Sequence, residues 1–87
     1  MSIEETVNTI QARLDVLKKS LVSEENSVQY YQTLIGKTPQ DTEENIGTYR
    51  MYEELHEEEK KHVKTIQNLL SHWEKRLSAI KTNPPTI

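Results

Sequence analysis

Hydrophobic residues recur along the chain at alternating intervals of three and four, the spacing that lines one side of a supercoiled α-helix. The first half carries such a seam at Ile3, Val7, Ile10, Leu14, Leu17, Leu21, Glu24, Val28, Tyr31 and Ile35. The second half repeats the spacing at Tyr49, Tyr52, His56, Glu59, Val63, Ile66, Leu70, Trp73, Leu77 and Ile80, with Leu55, His62 and Leu69 along its flank. The pattern predicts two long amphipathic helices.

Helix breakers separate the two seams in the segment Gly36-Lys37-Thr38-Pro39-Gln40-Asp41. Gly36 is of the residue type that most often ends a helix, and Thr38 followed by Pro39 has the order of an N-cap and a first helical position. Asp41 would place an acid three residues after that cap. The segment predicts a tight turn between the helices.

We expect helix one at about residues 3–35, helix two at about residues 39–81 and a short tail at 82–87. The predicted fold is all-α, an antiparallel two-helix hairpin with residues 1–87 as one domain. A chain of 87 residues with 33% hydrophobic residues and no cysteine cannot build a large core alone, and no disulfide compensates. We therefore expect two hairpins to dimerise into a four-helix bundle that buries both seams.

The composition argues against two classes of partner. The formal net charge is −3, and no cluster of Lys and Arg is long enough to neutralise several phosphates, so we expect no nucleic acid partner. Apolar runs reach only two or three residues, which predicts no membrane span. The acidic start Met1-Ser2-Ile3-Glu4-Glu5 is unlike a signal peptide, and the expected location is the cytoplasm.

Polar residues interrupt both seams. Glu24 is the charged position of the first, and Glu59 lies in the second with His62 three residues later, a spacing that makes two side chains adjacent on a helix. The pair Glu53 and His56 repeats that spacing. An unpartnered carboxylate among apolar residues would cost several kcal/mol. One interpretation is therefore a buried polar pair, such as Glu24 with His56, that fixes the helix register.

The other interpretation is a metal site. If a twofold axis relates two hairpins, they supply Glu24, Glu59 and His62 twice, which is the ligand inventory of a di-iron carboxylate centre. The same ligands would accept manganese or zinc. Tyr31 lies seven residues after Glu24, two helical turns along the seam. It either reaches this site or is an ordinary aromatic residue of the seam.

These motifs resemble those of a known group of iron proteins. The segment Glu57-Glu58-Glu59-Lys60-Lys61-His62, preceded by Tyr52-Glu53-Glu54-Leu55, resembles the second-helix motif of rubrerythrin-like ferritins. Glu24 with Tyr31 resembles their first-helix motif. Rubrerythrins have two such helix pairs in one chain, whereas this chain has one. A single pair of this length is similar to the encapsulated ferritins, and the likeness covers roughly residues 17–73.

The resemblance implies a ferritin-like protein that oxidises ferrous to ferric iron at an intersubunit di-iron centre. It makes Glu24, Glu59 and His62 the iron ligands and Tyr31 a residue that supports them. It also implies hairpin dimers that assemble into a ring-like oligomer inside an encapsulin shell, where the iron is stored.

The chain departs from that family in two places. Ser23 and Asn26 flank the pair Glu24 and Glu25, where the family has further acids that guide iron inward. The tail Asn83-Pro84-Pro85-Thr86-Ile87 differs from the Leu-rich and Gly-Ser-Leu-rich peptides that target a shell. The resemblance therefore concerns the ligands more closely than the iron route or the tail.

The predicted helix ends raise a question of register, because they place Glu24 about 10 Å short of Glu59 along the hairpin. Three arrangements would solve it. The connection could be longer, with residues 36–45 partly looped. The partner hairpin could be shifted, with Glu24 of one subunit opposite Glu59 of another. Glu53 and His56 could instead be the working pair, so His56 is an additional candidate ligand.

A non-enzymatic function competes with iron oxidation. The same hairpin would be an oligomeric adaptor if Glu24, His56 and Glu59 act only as buried polar residues that set the register. Oxidation of iron that depends on the candidate ligands would distinguish the two hypotheses.

Overall fold

The computed structural model describes residues 4–82, and this part of the chain consists of two α-helices with no strand. Helix α1 is Val7–Lys37, and helix α2 is Glu43–Thr82. They pack against each other as an antiparallel hairpin of 69 × 24 × 14 Å. The predicted all-α hairpin is confirmed. Neither helix has an apolar stretch that could cross a membrane. Ile3 and the predicted tail at 83–87 lie outside the described residues.

Helix α1 begins with a capping box at Thr6. The Thr6 hydroxyl accepts a hydrogen bond from the Thr9 backbone N–H at 3.1 Å, and the Thr9 hydroxyl accepts one from the Thr6 N–H at 2.8 Å. These bonds satisfy donors that the start of a helix leaves free. The Thr9 hydroxyl also donates to the Glu5 carboxylate at 2.7 Å. The helix therefore starts at Val7, later than the seam alone predicted.

Thr38 ends the first helix instead of starting the second. Its backbone N–H donates to the Ile35 carbonyl at 3.3 Å, and its hydroxyl donates to the Leu34 carbonyl at 2.7 Å. Thr38 thus satisfies carbonyls that the end of a helix leaves free. Gly36 lies inside α1 without a positive φ, and Pro39 lies in the loop. The predicted roles of Gly36, Thr38 and Pro39 were wrong because the Thr38 side chain completes the preceding turn.

Helix α2 begins at Glu43, after a loop of residues 38–42, and therefore later than predicted. Thr42 is its N-cap, because the Thr42 hydroxyl accepts a hydrogen bond from the Asn45 N–H at 3.1 Å. Two glutamates follow Thr42 in the first turn, where the helix dipole favours negative charge. The glutamates that follow Thr42 favour a helix start there and not at Thr38, so the loop is longer than the sequence predicted.

The hairpin has a thin core. Among the described residues only Ile10 and Leu14 are buried, with 0% and 2% of their surface exposed, and most other seam residues are half-buried. Large apolar side chains are exposed at Val7, Val16, Val22, Tyr30, Met51 and Leu69. The radius of gyration is 19.5 Å, against about 12 Å for a compact chain of this length. One hairpin therefore leaves much apolar surface in contact with water.

A cluster of contacts ties the helices together at the end opposite the loop. The Arg13 guanidinium of α1 lies 4.4 Å from the ring centroid of Trp73 in α2, a cation–π contact. Arg13 also forms an ion pair with Glu5. The hydrogen bond from Arg13, together with the one from Thr9, lowers the pKa of the Glu5 carboxyl below its usual value. Trp73 packs between the helices, as its place in the seam indicated.

We expect Thr42→Ala to lower the free energy of unfolding by about 1 kcal/mol, because it removes the side-chain acceptor at the N-terminus of α2. Urea denaturation followed by circular dichroism measures the change. Thr48→Ala is the matched control, since Thr48 is an exposed threonine inside α2 whose hydroxyl donates to the Glu44 carbonyl. An equal loss of stability in the two variants would contradict the assignment of Thr42 as the cap.

Candidate metal centre

Glu24 of α1 and Glu59 and His62 of α2 lie together near the middle of the hairpin. The His62 Nδ1 atom is 3.7 Å from Glu24 Oε2 and 3.7 Å from Glu59 Oε2. One ligand atom from each residue lies within 4.8 Å of the others, and this is the one such group of acidic and histidine side chains among residues 4–82. The structure thus brings together the three residues that the sequence analysis selected as the main metal ligands.

The loop produces this register. Because α2 begins later than predicted, Glu24 lies opposite Glu59 within one hairpin, and the offset of about 10 Å expected for a tight turn is absent. Nearer the loop, Tyr31 meets Tyr52 in the same register, with ring centroids 6.4 Å apart. The longer connection is therefore the arrangement that the structure has, and no shift of a partner hairpin is needed to align these residues.

The three side chains lie at different depths. The Glu59 side chain is 21% exposed, that of Glu24 is 30% exposed, and that of His62 is 54% exposed. Glu59 belongs to the seam, whereas His62 projects from the flank of α2, one turn further on. The group therefore forms a half-shell that is closed by the hairpin and open at the flank of His62.

The two carboxyl groups perturb each other. The adjacent Glu24 carboxyl is the largest cause that raises the pKa of Glu59 above its usual value of 4.5, because a proton on Glu59 allows a hydrogen bond between the two groups. Burial and charge repulsion from Glu24 raise the pKa further, and His62 partly offsets the rise. The pair is unfavourable when both groups are ionised, and a divalent cation between them would remove the repulsion.

The three residues offer the donor atoms of a divalent-metal site. Glu59 Oε2 is buried and has no hydrogen-bond partner within the described part of the chain, which leaves a carboxyl oxygen without a donor. Two ligands at about 2.1 Å from one ion lie at most about 4.2 Å apart. The 3.7 Å separations between His62 and the two carboxyl groups are within that limit. Two carboxylates and an imidazole suit ferrous iron, and they also suit manganese and zinc.

Glu53 and His56, the pair with the same spacing, do not join this group. Glu53 is exposed. His56 is half-buried one helical turn before Glu59, and its Nε2 atom is buried without a hydrogen-bond partner in residues 4–82. The geometry therefore favours Glu59 and His62 as the working pair, with His56 beside the group and not within it.

Tyr31 lies two helical turns from Glu24, toward the loop, in a layer of aromatic side chains. Its ring packs against Tyr52, and it also meets Tyr30 edge to face with centroids 5.4 Å apart. Within one hairpin Tyr31 is thus a packing residue. Its contact with the metal ligands stays a prediction.

No protein family, curated protein or solved structure matches the chain. The resemblance to the encapsulated ferritins therefore rests on the motifs around Glu24, Tyr31, Glu59 and His62 alone. The chemistry of the group has to be inferred from its own geometry.

Glu59→Gln is expected to stabilise the metal-free hairpin at pH 7. The raised pKa means that the folded chain holds the Glu59 proton more tightly than the unfolded chain, so stability falls as the pH rises from 4.5 through the raised value. Glutamine cannot ionise, so the stability of the variant does not fall as the pH rises through this range. Thermal melts in a chelator should show a Tm a few degrees above that of the wild type at pH 7, and a much smaller difference below about pH 4.

Glu25→Gln is the control for this experiment, because Glu25 is an exposed glutamate next to Glu24 and outside the group. It should keep the pH dependence of the wild type. A Glu59→Gln variant that melts below the wild type at pH 7 in the chelator would show that the carboxyl pair does not destabilise the metal-free fold.

A divalent metal should reverse the order of stability. At a free metal concentration of 100 times the Kd, binding to the folded state alone stabilises a protein by about 2.7 kcal/mol. We expect Mn²⁺ or Zn²⁺ to raise the Tm of the wild type and to leave that of Glu59→Gln nearly unchanged. Equal shifts in both proteins would place the bound metal elsewhere.

Proposed function

We propose that the protein oxidises ferrous iron and that Glu24, Glu59 and His62 bind it. The observation that carries the proposal is the buried, unpartnered Glu59 Oε2 atom beside a second carboxyl group and an imidazole. A polar pair that only fixes register would be expected to satisfy its buried oxygens, because an unsatisfied one costs stability. The resemblance to the encapsulated ferritins supports iron as the ion and oxidation as the reaction.

One hairpin supplies half of a di-iron centre. A second copy related by a twofold axis would double the ligand set to four carboxylates and two imidazoles. Four ionised carboxylates balance the charge of two ferrous ions, so the loaded centre would be neutral. One ferrous ion in a single hairpin is balanced equally by Glu24 and Glu59. The paired arrangement is needed because two ferrous ions must lie together to give two electrons to one dioxygen.

The two flanks of the hairpin differ, and one of them suits a second copy. The flank of His62 has a groove of mainly apolar lining that includes the exposed Val16 and Leu69. By helical spacing, the groove on the opposite flank is less apolar, because Glu25, Gln29, Gln32 and Lys60 line it together with Val28 and Val63. A partner on the His62 flank would bury the apolar groove and complete the ligand set together.

The size of the hairpin is sufficient for such a contact. A side of 69 × 24 Å is about twice the 800 Å² per partner that a standard protein interface buries. Such an interface would bury the most exposed apolar side chains and so enlarge the small core of each hairpin.

Iron is the substrate of the proposed reaction. Two ferrous ions each give one electron to dioxygen, which takes up two protons and leaves as hydrogen peroxide, while both ions become ferric. The carboxylates would hold the two ions side by side, and iron binding would favour the ionised form of Glu59, whose pKa is raised in the metal-free hairpin.

Storage of the product would take place outside the hairpin. Neither a two-helix hairpin nor a four-helix bundle has an internal volume in which a mineral could collect. The family resemblance supplies a location, a ring-like oligomer of hairpin dimers inside a cytoplasmic encapsulin shell, and we include it in the proposal. The residues that would carry a targeting peptide, 83–87, lie outside the described part of the chain.

Ferrous iron added without oxygen, followed by admission of oxygen, tests the proposal. The ferric absorbance should grow more slowly by about 10-fold or more in Glu24→Gln and in His62→Ala, because each loses a ligand. Glu25→Gln and His72→Ala are matched controls, since both are exposed residues of the same types outside the group. If Glu24→Gln and His62→Ala oxidise iron as fast as the wild type, the proposed site is wrong.

Sedimentation velocity, with and without ferrous iron, separates the proposal from the adaptor hypothesis. A ferroxidase with an intersubunit site should associate at least when iron is present. An adaptor should associate equally in both conditions and show no oxidation that depends on Glu24. A monomer in both conditions would contradict the intersubunit site.

A further inference from the structure

Charge is distributed unevenly along the hairpin. Residues 24–62, the half that contains the loop, have ten Asp and Glu and four Lys and Arg, a net charge of −6. Residues 4–23 and 63–82, the other half, have four Asp and Glu and seven Lys and Arg, a net charge of +3. Most of the contrast lies in α2, with acids at Glu43, Glu44, Glu53, Glu54, Glu57, Glu58 and Glu59 and bases at Lys64, Lys75, Arg76 and Lys81.

The candidate metal centre lies between these two halves. At 1.5 Å per residue, Glu24 is about 20 Å from the loop end of α1 and about 26 Å from its other end. A second hairpin could therefore bring its own centre to this level in either of two directions. The loops would lie at the same end in one, which we call same-end pairing, and at opposite ends in the other, which we call opposite-end pairing.

The charge distribution distinguishes the two directions. Same-end pairing places the two acidic halves against each other, whereas opposite-end pairing places the acidic half of each copy against the basic half of the other. Packed helices lie 8–10 Å apart, which is about one Debye length at physiological salt, so these charges are not fully screened from each other. Electrostatic complementarity therefore favours opposite-end pairing.

The apolar residues of the His62 flank also match in that direction. The groove lined by Val16, Leu69 and Trp73 lies on the order of 10 Å from the centre, away from the loop. Tyr30 and Met51, which are 60% and 51% exposed, lie at a similar distance on the loop side. A twofold axis through the centre and perpendicular to the helices exchanges these two positions, so exposed side chains of one copy meet the groove of the other.

We propose that a second copy of this chain pairs in the opposite-end direction, with its Tyr30 and Met51 against the groove at Val16 and Leu69. The inference rests on the pairing of hairpins in the proposed function and adds its direction and contacts. An axis of this kind packs α1 on α1 and α2 on α2. Val16 then meets Tyr30 of the second copy, and Leu69 meets Met51 of the second copy. In same-end pairing α1 packs on α2, and Val16 meets Leu69 of the second copy instead.

Disulfide trapping tests the direction, because the chain has no cysteine of its own. Leu69→Cys and Met51→Cys are mixed as full-length proteins at low ionic strength, both metal-free and with Mn²⁺ added, and oxidised with diamide. We expect a linked heterodimer in several-fold excess over either homodimer, identified by mass. A mixture of Val16→Cys and Leu69→Cys should form little heterodimer. The reverse result for the two mixtures would overturn the proposal.

Val22→Cys mixed with Met51→Cys controls for random collision. Val22 is 60% exposed, comparable to Val16 at 64%, but helical spacing places it on the other flank. Circular dichroism shows whether each variant keeps its helices. Equal linkage in the control mixture, or no linkage in any mixture of folded variants, would also overturn the proposal.

Iron oxidation by the wild type, measured separately, keeps the two proposals apart. A heterodimer linked through residues 69 and 51 in a protein that oxidises no iron would refute the ferroxidase and leave the direction standing. A protein that oxidises iron and links residue 16 to residue 69 would support the ferroxidase and refute the opposite-end direction.

Discussion

The Glu24 and Glu59 carboxyl groups approach each other across the seam that joins the two helices. Seam positions normally hold apolar residues, because burial of their side chains is what holds the helices together. Here two acids take such positions, and one buried oxygen of Glu59 has no donor among the described residues. Ile10 and Leu14 are the only buried residues among residues 4–82. The unfavourable free energy of the unpartnered oxygen is therefore opposed by a small core. A local conflict of this kind is typical of a functional site.

The loop decides whether these acids meet. The seams predicted both helices, because an amphipathic helix depends on local spacing that the sequence displays directly. The start of α2 was harder to predict, since Thr38 and Thr42 both have the side chain of an N-cap. The choice between them depends on hydrogen bonds from Thr38 to the preceding turn, which appear only in three dimensions. A shift of a few residues in a loop moves every residue of α2 along α1.

Part of the candidate site was also predictable, because its residues interrupt the local spacing of each helix. Glu24 and the pair of Glu59 and His62 stood out because they interrupt a periodic pattern. The sequence could not distinguish that pair from Glu53 and His56, since both have the same spacing and only the register selects one of them. Contacts between distant positions, such as the one from Arg13 to Trp73, had no local signal at all.

Two asymmetries of the hairpin would act on separate aspects of the proposed pairing. The difference between the more apolar and the less apolar flank would decide which surface meets a second copy, and the difference in charge between the halves would decide the direction. Pairing of two metal-free sites would bring four carboxyl groups together, which opposes association. Attraction between the acidic and basic halves would offset that repulsion, and bound metal would remove it. Because a ligand that favours the paired state is itself bound more tightly by that state, iron binding and pairing would strengthen each other.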